Sequence, residues 1–238
     1  MSLNISDYFN FNNGRITFTR KQASDFAKGV AGDFNPIHDE DAKRFCVPGD
    51  LLFAVFLSHY GIFQEMKFEF SGMVADGTAL NLPENITSPF NLQDEQEKSY
   101  IDISFSGVQS DNYDFICSLA EKYVQFSGQT FPHILVPLMR DEGVMINPAR
   151  PLVIYKNMEI HLDVLNGQLV ELQLQKSLLD NQGKKAEVRL EFDIMTDGQK
   201  VGYGAKNLIL SGLREFDQSQ LDDVITAYNH NKESYLNT

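Results

Sequence analysis

The chain has 238 residues, of which 42% are hydrophobic and 22% are charged, and its formal net charge is −13. This length suits one large domain or two domains of about 110 to 120 residues, with enough apolar residues for a core that needs no disulfides. The acidic balance argues against nucleic acid as a partner, because phosphate contacts require clustered Lys and Arg. The longest apolar run, Leu51 to Leu57, is too short to span a membrane, which takes about 20 residues.

The start of the chain lacks the basic and apolar segments of a secretory signal. We therefore expect a cytoplasmic protein without membrane contacts. The two cysteines, Cys46 and Cys117, form no CxxC motif and lie among apolar residues, which predicts buried free thiols.

The first predicted elements are a short strand at residues 15–19 and a helix from about 20 to 31. Thr19 and Gln22 have the spacing of a capping box, which fixes the start of this helix. Gly32 is its expected end, since glycine tolerates the left-handed cap conformation.

The segment that follows, GDFNPIH, places an acid and a histidine on either side of an Asn-Pro pair. Pro36 removes a backbone donor and disfavours helical geometry at Asn35. In a continuous helix Asp33 and His38 would diverge, because positions five apart differ by roughly 140° around the axis. A turn lets the two side chains converge.

A buried helix is predicted at about residues 48–64. Apolar residues fall on every face of this segment, which is typical of a helix surrounded by protein. His59 within it is expected to be a core histidine. Strands predicted at 66–73, 75–82 and 100–108 could wrap the helix, and a long polar loop is expected at 83–98.

The second half repeats this layout. It has a predicted helix at 110–127, a predicted buried helix at 131–143 and a final polar helix. Strands are predicted at 151–164, 168–179, 185–195 and 200–212, separated by the turn sequences NGQ, NQGK and TDGQ. The repeated order suggests duplication of an α+β unit, with one domain at 1–109 and a second at 110–238.

The turn and the glycine of the first buried helix together resemble the signature of the MaoC-like, (R)-specific enoyl-CoA hydratases (hydratase 2). The matching residues are Gly32, Asp33, Asn35, Pro36, Ile37, His38 and Gly49. The resemblance implies a double hot-dog fold, in which two antiparallel sheets each wrap a long buried helix. The second half lacks the motif and so resembles a degenerate copy. The two-domain members of the family usually carry the motif in the second half instead.

The resemblance also implies roles. Asp33 and His38 would activate one water for addition to the β-carbon of a trans-2-enoyl thioester, and the Gly49 N–H would polarise the thioester carbonyl. Asn35 and Pro36 would hold the turn. Elementary chemistry agrees, since an acid and an imidazole can share proton transfers and a helix N-terminus stabilises enolate charge. No cofactor and no metal are expected.

Two alternatives remain open at this stage. The first is a hot-dog acyl-CoA thioesterase, for which Asp50 is the candidate carboxylate near the central helix. The second is a protein that binds acyl thioesters without catalysis, which the acidic composition favours. In each case the expected partner is acyl-CoA or a similar thioester, and the expected assembly is a monomer or homodimer.

Overall fold

The computed structural model describes residues 3–149 and 152–237. Its α-helices are α1 (Arg20–Asp25), α2 (Gly49–Tyr60), α3 (Tyr113–Gly128), α4 (Thr130–His133), α5 (Leu135–Asp141) and α6 (Gln218–Leu236). The strands of the first half are β1 (Asn10–Asn12), β2 (Arg15–Thr17), β3 (Ile62–Phe70), β4 (Leu80–Asn81), β5 (Phe90–Gln93) and β6 (Ser99–Ser110). Those of the second half are β7 (Val144–Met145), β8 (Val153–Leu162), β9 (Val170–Asn181), β10 (Lys185–Thr196), β11 (Gln199–Ser211) and β12 (Arg214–Glu215).

One antiparallel sheet of seven strands forms the body of the protein, in the order β5-β6-β3-β8-β11-β10-β9. Strands β3 and β8 join the two halves, with Met66 opposite Ile160 and Phe68 opposite Met158. The prediction of two separate sheets is therefore wrong. Pairing satisfies the backbone groups that β3 and β8 would otherwise expose as free edges. Two small sheets, β1-β2-β4 and β7-β12, accompany the main one.

Helix α2 is buried, as predicted. Every residue from Leu51 to Leu57 is at most 5% exposed. The Phe53 ring packs edge-on against Phe68 of β3, with ring centroids 5.2 Å apart. A long apolar helix wrapped by antiparallel strands gives the molecule an α+β, hot-dog-like fold. The prediction that His59 is a core histidine is wrong, since His59 is exposed together with Ser58 in the last turn of α2.

The second half departs from the prediction in its helices. The prediction of one long helix at 131–143 is wrong, since this segment forms two short helices, α4 and α5, and the backbone at Phe131 inside α4 is not helical. Phe131 has φ −108° and ψ 132°, outside the helical region, and the proline that follows it disfavours helical geometry there. The long helix of the second half is α3. Its Tyr123 ring contacts the Phe53 ring of α2, so the two helices pack in the same core.

The four long strands of the second half occur where the sequence predicts them. In the first half, β5 lies inside the segment predicted as a polar loop. Its Leu92 is 4% exposed, so a single buried side chain anchors this short edge strand. Both cysteines are free; Cys46 is buried and Cys117 is only partly buried.

The start of the chain leads directly to the predicted turn. Thr19 and Gln22 form the capping box, which confirms that prediction. Helix α1 continues as a π-helical segment, Phe26–Ala31, which ends at Gly32 with φ 68°. Gly32 is thus left-handed, as expected of the helix end, and Asp33 emerges immediately after it.

Helix α6 closes the described chain. The Asp217 side chain caps its start by accepting the Gln220 N–H. Leu221 and Tyr228 are its buried residues, and Val224 packs against the core of the second half. In the described part of the chain, no helix combines the length and apolarity needed to cross a membrane.

Candidate functional site

A cavity of about 410 Å³ lies where the predicted turn, the start of α2, strand β8 and helix α6 meet. Asp33, His38, Gly49 and Asp50 all line it. Most of the remaining wall is apolar, with buried side chains at Val47, Leu52, Val74, Leu135, Ile146 and Leu208. The structure thus brings the sequence-predicted residues to one apolar-walled cavity.

Asp33 and His38 face each other across a short gap. His38 Nε2 lies 3.7 Å from Asp33 Oδ2, too far for a good direct hydrogen bond. His38 Nδ1 is 2.7 Å from the Cys46 carbonyl oxygen. A carbonyl can only accept, so Nδ1 carries a proton and a neutral imidazole presents Nε2 as an acceptor. A water between Nε2 and Oδ2 could bond to both groups.

The turn that positions this pair is held by Asn35 and Pro36. The Asn35 N–H donates to Asp33 Oδ1 at 2.9 Å. The Asn35 side-chain oxygen accepts the Ile37 N–H, and its amide nitrogen donates to the Val153 carbonyl on β8. Pro36 then begins a 3-10 turn that ends at His38. These contacts leave Asp33 Oδ2 directed to His38.

Gly49 is the first residue of α2. Its N–H belongs to the first turn, where backbone donors have no intrahelical acceptor and the helix dipole is positive. A Cβ at this position would lie 2.9 Å from ring carbons of both Phe70 and Tyr155. Only glycine fits without displacing these rings, and it leaves the helix end open to the cavity.

Asp50, the next residue, belongs to a buried polar cluster. It is 3% exposed and accepts hydrogen bonds from Ser127 Oγ at 3.0 Å and Tyr155 OH at 2.5 Å. Lys206 Nζ lies 3.6 Å from the carboxylate and 3.3 Å from the centroid of the Tyr155 ring. Among the described residues, this ammonium has no hydrogen-bond acceptor.

Burial sets the ionisation of this cluster. It raises the pKa of Asp50, against the opposing effects of Lys206 and of the two hydroxyl donors. It also lowers the pKa of Lys206 to about 8. Sequence reasoning missed Ser127, Tyr155 and Lys206, because each is distant from Asp50 in sequence. The available signal was Lys206 itself, which shares the inward face of β11 with Leu208 and Leu210.

The cavity has an acidic lining. Its described lining contains Asp33, Asp50 and Asp223 but neither Lys nor Arg. No group of three or more His, Cys, Asp or Glu side chains in the described residues is arranged to hold a metal ion.

Three solved structures illustrate the similarity to known proteins. An acyl-CoA thioesterase II from Mycobacterium marinum has 10% identity and a TM-score of 0.39, covering 91% of this chain and 99% of that one. A hot-dog-fold protein of unknown function from Alicyclobacillus acidocaldarius has 7% identity and a TM-score of 0.45, covering 89% and 100%. Peroxisomal multifunctional enzyme type 2 from Drosophila melanogaster has 13% identity and a TM-score of 0.42, covering 82% and 47%. These similarities are distant and concern the fold alone.

Sequence comparison gives a firmer result at the level of the family. No curated protein matches the sequence significantly. A family model described as "Protein of unknown function (DUF3581)" matches residues 3–219. This match spans most of the chain, and the protein therefore belongs to the DUF3581 family.

Proposed function

We propose that the protein is a hydro-lyase that adds water to a trans-2-enoyl thioester, or removes it from the 3-hydroxyacyl product. The observation that carries this proposal is the pairing of Asp33 Oδ2 and His38 Nε2, 3.7 Å apart, on the wall of an apolar cavity. Such a pair can hold one water and exchange protons with it. The cavity volume falls within the range of about 300–1,000 Å³ that is usual for small-molecule sites.

The chemistry follows from these contacts. Asp33 Oδ2 and His38 Nε2 orient the water, and one of them takes its proton as the oxygen bonds to the β-carbon. The electron pair of the double bond moves to the thioester oxygen, which the Gly49 N–H stabilises. The same proton is then delivered to the α-carbon, so that one water is added overall. Each proton transfer of this kind contributes about 10² to 10⁴ in rate.

The substrate class follows from the walls. The buried side chains around Leu52, Leu135 and Leu208 suit an acyl chain, and the acidic lining offers no described cation for phosphates. We therefore infer that the acyl group and the thioester occupy the cavity while any phosphorylated carrier lies outside this lining.

Hydrolysis of an acyl thioester is the second candidate function. One observation favours it: Asp33, a carboxylate that is only partly buried, lines the same cavity as Gly49, so a water beside it could also reach the carbonyl carbon of a thioester. In this mechanism water would attack the carbonyl carbon and the thiol would leave. A protein that only binds acyl thioesters remains the third reading, and it predicts neither reaction.

One set of assays separates these functions. The purified protein is incubated with crotonyl-CoA and longer enoyl-CoAs, and with the corresponding pantetheine thioesters, which lack the nucleotide. Loss of enoyl absorbance measures hydration, and a thiol reagent measures hydrolysis. Hydration is expected without thiol release. Thiol release without hydration would favour hydrolysis, and binding without either reaction would leave the non-catalytic reading.

Variants test the roles. Asp33→Asn and His38→Ala are each expected to lower kcat by about 10² to 10⁴ with a much smaller change in KM. The double variant should lose less than the product of the two, because both groups act on one water. The control is His59→Ala, which removes an exposed histidine of α2. Unchanged kcat in both single variants would refute the proposed site.

A further inference from the structure

Helix α6 forms part of the cavity wall. Asp223, Ala227 and Asn231 follow each other at intervals of one helical turn along the lining, and Val224 and Tyr228 lie beside them. The family match ends at residue 219, so these wall residues all lie beyond the matched segment. The question is what this helix contributes besides covering the cavity.

Tyr228 links the helix to the turn that carries Asp33. Its hydroxyl lies 3.1 Å from the Gly32 carbonyl oxygen and 3.3 Å from the Gly128 carbonyl oxygen. Both carbonyls can only accept, so the single hydroxyl proton is shared between them. The ring packs edge-on against Phe34 and Phe131. Burial raises the pKa of Tyr228 to about 12, with a further contribution from the nearby charge of Asp33.

The Gly32–Asp33 peptide group is therefore held on both sides. Its carbonyl accepts the Tyr228 hydroxyl, and its N–H donates to the Ala27 carbonyl at 2.8 Å. A peptide group is planar, so fixing its oxygen and its hydrogen fixes the direction in which the Asp33 Cα leaves it. Gly128 packs so tightly here that a Cβ would lie 1.9 Å from the Ala31 carbonyl oxygen. Among the described residues, Tyr228 of α6 supplies the only side-chain hydroxyl that bonds to the Gly32 carbonyl.

We propose that Tyr228 is a positioning residue for Asp33. Helix α6 would then help to orient the site in addition to covering the cavity. The hydroxyl holds the peptide from which Asp33 reaches toward His38. The effect on catalysis rests on the proposed function, whereas the effect on the turn does not. Without the hydroxyl, the peptide is held by Ala27 alone, and the Asp33 carboxylate samples a wider range of positions.

The test compares Tyr228→Phe with Tyr235→Phe in the full chain. Both substitutions remove one hydroxyl from α6, and both rings pack edge-on against Phe34. Amide hydrogen exchange is measured at residues 33 to 35, together with thermal unfolding and with kcat and KM on crotonyl-CoA.

For Tyr228→Phe we expect exchange at these amides to increase severalfold, while amides in α2 and β8 exchange as in the wild type. The value of kcat should fall about tenfold with KM within twofold, as expected when an interaction acts in the transition state. Tyr235→Phe should leave exchange and kcat within twofold of the wild type.

Three outcomes would overturn the proposal: no change in local exchange, an increase of similar size in Tyr235→Phe, or a general increase across the protein. The last outcome would mean that the hydroxyl serves stability alone. If the wild type turns over no thioester, the proposed function fails. Local exchange in Tyr228→Phe then still decides whether the tyrosine positions the turn.

Discussion

Replacing Lys206 by Met tests whether the buried Asp50–Lys206 pair is ionised at neutral pH. The lysine is fully buried, so methionine can occupy nearly the same space without a charge. The substitution leaves Asp50 its two hydroxyl donors, Ser127 and Tyr155. It removes the cation that lies 3.6 Å from the carboxylate.

The magnitude follows from the distance and the burial. At an effective dielectric constant near 20, two charges this far apart attract by about 5 kcal/mol. Part of this attraction is offset because burying an ammonium is itself costly and that cost disappears in the variant. The unpaired carboxylate can also take up a proton, at a cost of about 1.4 kcal/mol for each unit that the pH lies above its pKa. We therefore expect a loss of about 1 kcal/mol at pH 5 and about 3 kcal/mol at pH 7, below the pKa of about 8 of Lys206.

The sign of the pH dependence is fixed by the folded-state pKa of Asp50. Burial raises it above the usual carboxyl value, and Lys206 opposes this effect, so removal of the lysine raises it further. Above the ordinary carboxyl pKa, the folded variant then binds a proton that the unfolded chain has released. Stability relative to the wild type must fall as the pH rises.

Urea unfolding at pH 5, 6 and 7 measures these differences while Lys206 of the wild type keeps its proton. Lys176→Met is the matched control, since Lys176 is exposed on β9, and it should change stability by less than about 0.5 kcal/mol at each pH. Adding Asp50→Asn to Lys206→Met should remove the fall in stability with rising pH that Lys206→Met alone causes. If Lys206→Met lowered stability equally at every pH, the hypothesis that Asp50 and Lys206 form an ionised pair would be wrong.

Two further predictions concern glycines that the packing requires. Gly128→Ala should destabilise the protein by about 3 kcal/mol or more, because the new Cβ meets backbone that cannot move away, the Ala31 carbonyl; the loss is measured by urea unfolding. Gly49→Ala should cost about 2 kcal/mol, because the new Cβ meets the Phe70 ring and also the Tyr155 ring, which its hydrogen bond to Asp50 holds in place. Urea unfolding measures this loss, and thioester turnover should fall as well, because Gly49 lines the cavity.

The turn that carries Asp33 and His38 could be predicted because its determinants are local. The Thr19–Gln22 capping box, the left-handed Gly32 and the Asn-Pro pair each act on their own few residues. Local backbone rules therefore suffice to predict where the helix ends and that the side chains of Asp33 and His38 come together. The non-helical backbone at Phe131 could also have been predicted from the sequence, because the residue before a proline is seldom helical.

The joined sheet and the Asp50 cluster could not be predicted in this way. Which strand edges pair depends on how the two halves pack, and alternating side chains in β3 and β8 carry no signal for it. Tyr155 and Ser127 are 105 and 77 residues from Asp50. A sequence pattern can place Lys206 on an inward position, but only the tertiary structure shows which carboxylate compensates its charge.

The environments of Asp33 and Asp50 decide which carboxylate could serve hydrolysis, should thiol release be observed. The Asp50 side chain is 4% exposed beside Lys206, and both of its oxygens already accept hydroxyl protons. A water would have to displace one of these donors to reach it. The Asp33 side chain is 23% exposed, and its Oδ2 is directed to His38 rather than to a hydroxyl. Hydration and hydrolysis would then share one base, so we expect Asp33→Asn to reduce thiol release at least tenfold and Asp50→Asn to leave most of it. If Asp50→Asn abolished thiol release while Asp33→Asn preserved it, the water would have to bind at Asp50 instead.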